Sequence, residues 1–130
     1  MSAVTERGYE LLKKLTLAGA PGSGATITLW DSSSNNGFIE RGRHYKMIIV
    51  NIITSADSAA NGLTFEESND GGVTWDVVGT GDSITTAGGY TKTYKKVSAP
   101  EVRVRYHNSA NVLTTWRGSV MGDVMERGNG

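Results

Sequence analysis

The sequence predicts an all-β protein, an antiparallel β-sandwich of about eight or nine strands preceded by a short N-terminal arm. Three observations carry this expectation. Glycine is abundant and proline scarce, with Gly 17 against Pro 2, so flexible punctuation divides the chain into short runs. Those runs are rich in Val, Ile, Thr, Tyr and Trp, the residues that suit a pleated, half-buried surface. Between two alternating runs lies Ser68-Asn69-Asp70-Gly71-Gly72-Val73-Thr74-Trp75, whose Asp-Gly and Gly-Gly pairs accept the positive φ of a tight hairpin turn. A length of 130 residues with 38% hydrophobic content fits one core.

The elements follow in order. Residues 1–8 read as an arm that orders against neighbours, because Gly8 weakens a helix over residues 5–14 in which Thr5 would cap and Leu11, Leu12 and Leu15 form a stripe. The sandwich spans residues 9–122, with strands expected at about 9–17, 25–31, 37–40, 45–54, 62–68, 73–78, 90–96, 101–107 and 112–121. Turn signals separate them at Ala20-Pro21-Gly22-Ser23-Gly24, Ser34-Asn35-Asn36-Gly37, Ala60-Asn61-Gly62, Ala87-Gly88-Gly89 and Ser98-Ala99-Pro100. This spacing fits a sandwich or a jelly roll. The run Met47-Ile48-Ile49-Val50-Asn51-Ile52-Ile53 is apolar on both sides, which suits a central strand covered on both faces, one cover being supplied by a neighbouring chain. Its β-branched residues favour strand over buried helix. In residues 101–107, Val102, Val104 and Tyr106 point inward and Arg103, Arg105 and His107 outward. Tyr90, Lys92, Tyr94 and Lys96 share one face, as an interface or a lysine-protected edge would. Residues 123–130 read as a flexible C-terminal tail.

Composition excludes several function classes. Lys+Arg 13 balance Asp+Glu 13, so the broad attraction on which non-specific nucleic-acid binding depends is missing, while a neutral surface suits a subunit held in an assembly. Cys 0 leaves no disulfide and no cysteine-ligated zinc. No apolar run approaches the roughly 18 residues that span a bilayer, and the start lacks a secretory signal's basic and apolar regions. The expectation is a soluble protein made in the cytoplasm, with no nucleic-acid or membrane partner.

The search for reactive groups predicts no catalytic residue, metal ligand or cofactor. His44 and His107 stand outside metal-binding spacing and read as surface histidines. Glu66 and Glu67 are strand neighbours and point to opposite faces, while Glu66 and Asp76 could meet across the hairpin as solvated carboxylates. Asp70 reads as a turn cap, since the loop lacks a calcium-binding spacing. The segment from Gly19 to Thr26 is superficially similar to a phosphate-binding loop but lacks its Gly-Lys-Ser/Thr ending, and no Gly-x-Ser-x-Gly elbow occurs. Trp75 and Trp116 alternate with Val77 and Val120 and are expected in the core. Trp30 and Tyr45 stay open between core and a sugar-stacking role.

Residues 68–75 resemble the Asp-box, the repeated hairpin of sialidase propellers, where it is a folding device remote from catalysis. Taken with Gly62-Leu63-Thr64-Phe65-Glu66-Glu67, Gly88-Gly89-Tyr90 and Val102-Arg103-Val104-Arg105-Tyr106, the order over residues 45–121 resembles small β-sandwich modules of tailed-phage structural proteins. That resemblance implies a non-enzymatic virion protein of the capsid decoration or cement type, which bridges neighbouring subunits of the major capsid protein on the capsid surface. A homotrimer at a symmetry axis is the expected assembly. The contacts are expected at Val4, Tyr9, Leu11 and Leu12 on the arm side, and at Tyr90, Lys92, Tyr94, Arg103 and Arg105 on exposed faces. The alternative is a carbohydrate-binding or structural module of a phage tail or receptor-binding apparatus, favoured by Trp30, Tyr45 and the Ser- and Asn-rich loops. A hydrolase, suggested only by the Asp-box likeness, ranks third.

Overall fold

The structure is a computed structural model that describes residues 9–32, 45–86, 91–97 and 99–124. It bears out the all-β, antiparallel sandwich. The strands are β1 (Tyr9–Leu15), β2 (Thr26–Asp31), β3 (Tyr45–Thr54), β4 (Ser58–Ser68), β5 (Asp76–Val77), β6 (Thr91–Lys96), β7 (Glu101–Asn108) and β8 (Trp116–Val124). They form two four-stranded sheets, of order β1-β8-β3-β6 and β2-β7-β4-β5. The pairs β1·β8, β2·β7, β3·β6 and β4·β5 are nested, as if one long antiparallel ribbon had been rolled onto itself.

The two inner faces make one core. Ile48, Val50, Ile52, Trp116 and Val120 of the first sheet meet Leu29, Trp30, Leu63, Phe65, Val102, Val104 and Tyr106 of the second. Each such side chain removed from water contributes about 1.5–3 kcal/mol against the entropy of ordering it. Trp116 and Tyr106 join the sheets edge to face, with centroids 5.6 Å apart and planes at 70°. Ile84, from the connection between β5 and β6, also enters the core, and its N–H donates to Ser58 Oγ at 3.0 Å. The alternation of β7 is as expected, with Val102, Val104 and Tyr106 inward. Trp116, Val120 and Trp30 are core residues.

Boundaries differ from the sequence reading where turn chemistry sits inside a strand or where loops replace expected pairing. β1 stops at Leu15, and Leu17–Gly19 form a 3-10 turn. β4 begins at Ser58, because the expected turn at Ala60-Asn61-Gly62 is a register shift within the strand, with Asn61 at φ 53°. Gly62 is needed there for close approach, since a Cβ would lie 2.6 Å from the His107 carbonyl oxygen. β8 begins at Trp116 and not Val112, which is 81% exposed in the preceding loop, and it runs through Val124, past the expected edge of the tail. The expected strand at 37–40, the arm at 1–8 and the tail beyond Val124 lie outside the described residues.

Candidate functional site

The Asp-box-like hairpin is built around one carboxylate. Asp70 Oδ1 accepts from the N–H groups of Val73 and Thr74 at 3.1 and 2.9 Å and from Ser68 Oγ at 2.8 Å, and Oδ2 accepts from the Thr74 hydroxyl. The Thr74 hydroxyl, foremost, and these other donors hold the Asp70 carboxyl at about 2, below its ordinary 3.8. Gly72, at φ +88°, supplies the left-handed backbone the turn demands, and its carbonyl accepts from Trp75 Nε1 at 3.0 Å. Both Asp70 oxygens are occupied by the turn itself, so the group caps. Among the described residues no group of three or more His, Asp or Glu side chains could hold a metal ion.

The outward face of the second sheet corrects two expectations. Trp75 is not in the core: its ring lies 4.3 Å beneath the Arg103 guanidinium, on the outward side of β7. The reason is register. Val77 pairs with Glu66, so β5 turns Val77 outward, where it is 49% exposed, and Asp76–Val77 form only a two-residue strand after the turn, followed by an isolated bridge from Asp82 to Leu63. Glu66 does not face Asp76, which pairs with Glu67. It is 7% exposed and bound to Arg103, whose Nε and Nη2 both reach Oε1 at 2.7 Å, while the Thr64 hydroxyl donates to Oε2 at 3.1 Å. Arg105 lies between Thr28 and Thr64 in register, with its Nε buried and unbonded. His107, exposed at the end of the row, shares a hydrogen bond with the Thr26 hydroxyl.

The outward face of the first sheet carries a different pattern. Because Val50 and Val120 pair inward, the alternate pairs of β3 and β8 face out. Leu11, Met121, Ile49 and Tyr94 then line up in register across β1, β8, β3 and β6. Leu11 is 56% exposed and Tyr94 50% exposed at the two ends of this row, while Ile49 between them is 4% exposed. A second row runs Lys14, Ser119, Asn51, Lys92, with Lys92 Nζ 5.9 Å from the Tyr94 ring centroid. β3 is therefore central, as its composition indicated, and at Ile49 and Asn51 its outward face is already nearly covered within the single chain, without the neighbouring chain expected to supply that cover.

The expected contact residues divide between these faces. Leu11, Lys92 and Tyr94 share the outward face of the first sheet, and Tyr9 pairs in register with Asp123 of β8. Arg103 and Arg105 belong to the outward face of the second sheet. Leu12 turns inward at a register shift in β1 and packs against the core. Val4 and Tyr90 lie outside the described residues. Sequence reasoning missed Met121 and Arg117 on the outward face of the first sheet, and the place that Ile49 and Asn51, both nearly buried, take in its rows. The one available signal was Asn51, a polar residue in an otherwise apolar run.

No family model matches the chain, and no curated protein or solved structure does either.

Proposed function

We propose that this is a non-enzymatic virion structural protein, a decoration or cement protein that stabilises a phage capsid by bridging neighbouring subunits of the major capsid protein. The row Leu11, Met121, Ile49, Tyr94 carries the reading: it crosses all four strands of one sheet and leaves an aliphatic and an aromatic side chain half exposed at its ends. Half-exposed apolar side chains beside a row that carries Lys14 and Lys92 have the anatomy of a docking face. The nested strand order supports the reading too, because we take it for the wrapping of a jelly roll, which recurs in viral shells. Stabilisation would be passive, in proportion to apolar area removed from water at about 25 cal/mol per Å2, less the cost of association. The proposed assembly on the shell is a homotrimer.

Cryo-EM of the parent particle tests this. The expected result is density for the sandwich on the outer shell, with its first sheet toward capsid subunits, and loss of that density with Leu11→Glu or Tyr94→Glu. A fully resolved shell without the sandwich overturns the reading. Sedimentation of the isolated protein tests the trimer, with a monomer mass counting against a preformed one.

A further inference from the structure

We propose that a groove on the outward face of the first sheet receives a carboxylate-bearing, extended segment of a partner protein. The groove encloses about 440 Å3, and Lys14, Thr16, Asn51, Ile53, Arg117 and Ser119 line it. Asn51 is 7% exposed, and its Oδ1 meets no donor among the described residues. An amide oxygen buried without a donor is costly, so a shift of the Asn51 side chain toward an N–H or O–H arriving in the groove is favoured. Lys14 and Arg117, both exposed, form no ion pair among the described residues, and no carboxylate lines the groove. Lys92, beside the groove on β6, adds a third cation in register with Asn51.

The occupant these groups specify has three parts. It carries an anionic acceptor for the Arg117 fork and Lys14. It carries a hydrogen-bond donor for Asn51 Oδ1, and a short apolar stem to lie on Ile53. A Glu or Asp residue in an extended peptide supplies all three, its backbone N–H meeting Asn51 and its carboxylate the two cations. A sugar acid offers similar chemistry, and the choice of a protein segment rests on the shell-binding reading above.

The test is a titration of the isotope-labelled protein with the peptide acetyl-Gly-Glu-Gly-amide, followed by NMR at the Asn51 side-chain amide and the Ser119 backbone. Acetyl-Gly-Gln-Gly-amide and glucuronate are the controls. The expected result is saturable shifts with the Glu peptide, and affinity lower by about tenfold for the Gln peptide and for Lys14→Ala or Arg117→Ala protein. Absent shifts, equal binding of the Gln peptide, or tighter binding of glucuronate would each overturn the inference. A Lys14→Ala, Arg117→Ala double variant that decorates particles as fully as wild type also overturns it, while leaving the shell-binding reading intact. Peptide binding by a protein that never occupies a shell does the reverse.

Discussion

Arg103 holds two partners at once: its guanidinium is 4.3 Å from the Trp75 ring centroid, and its nitrogens reach Glu66 Oε1 at 2.7 Å. A single side chain thus pins the Asp70 turn, through the indole, to the adjacent strand pair, through the carboxylate. The stack leaves Trp75 dependent on a cation for its cover, since it has no place in the core.

Removing that cation should cost more than a surface ion pair. Arg103→Ala leaves Glu66, 7% exposed, without its counter-charge, and is expected to destabilise the fold by about 2–3 kcal/mol. Arg103→Lys keeps the charge but loses the planar fork and should recover about half. Urea unfolding monitored by Trp fluorescence measures both, and a loss below about 0.5 kcal/mol for the alanine variant would show the pair to be inconsequential.

The Asp70 turn should respond to acid only at extreme pH. Its carboxyl is held at about 2 in the fold against an ordinary 3.8, so the charged form is favoured by folding. That contribution is fully present above the ordinary value and is lost as pH falls from about 4 toward 2. NMR shifts of the Val73 and Thr74 amides should titrate with a midpoint near 2, and a midpoint near 3.8 would mean that the carboxylate bonds do not persist in solution.

Gly62→Ala should destabilise through space alone. The added Cβ would sit 2.6 Å from the His107 carbonyl oxygen and 2.8 Å from that of Ala59, both backbone atoms that cannot swing away. A loss of about 1–3 kcal/mol in chemical unfolding is expected, whereas a neutral result would show that β4 can open at its register shift.

Two apolar residues of the same short segment should behave oppositely. Trp116→Ala empties a site that is 2% exposed and packed on Tyr106, and should cost about 3–5 kcal/mol. Val112→Ala, at a side chain 81% exposed, should stay within about 0.5 kcal/mol. Thermal unfolding of both variants checks the contrast, and equal losses would place Val112 in the core, contrary to the structure.

Period-two alternation made the fold class legible. The β-branched, two-sided apolar run placed β3 to its ends, and alternation assigned the inward face of β7 correctly, because Val102, Val104 and Tyr106 bury one continuous apolar set. Alternation failed at Trp75 and Val77, where a two-residue edge strand takes its facing from register with Glu66, a relation between strands that no local pattern encodes. It failed also at Ala60-Asn61-Gly62, where residues that favour a turn serve a bulge, and at Ile84, whose burial depends on how a loop folds back. The outward row was half visible: Leu11 and Tyr94 stood out singly, but only the pairing of β1 with β8 and of β3 with β6 brings them into line.

The nesting of first strand with last bears on how the protein emerges from the ribosome. Among the described residues β1 pairs within its sheet only with β8, which also completes one side of β3, so β1 and β3 both wait for a much later segment before either can be satisfied. Until residues 116–124 clear the exit tunnel, the Ile- and Val-rich β3 has no partner on that side and remains open to mispairing with other nascent chains. Translation that stalled before Trp116 would strand both neighbours of β8 together, making β8 the keystone of the first sheet.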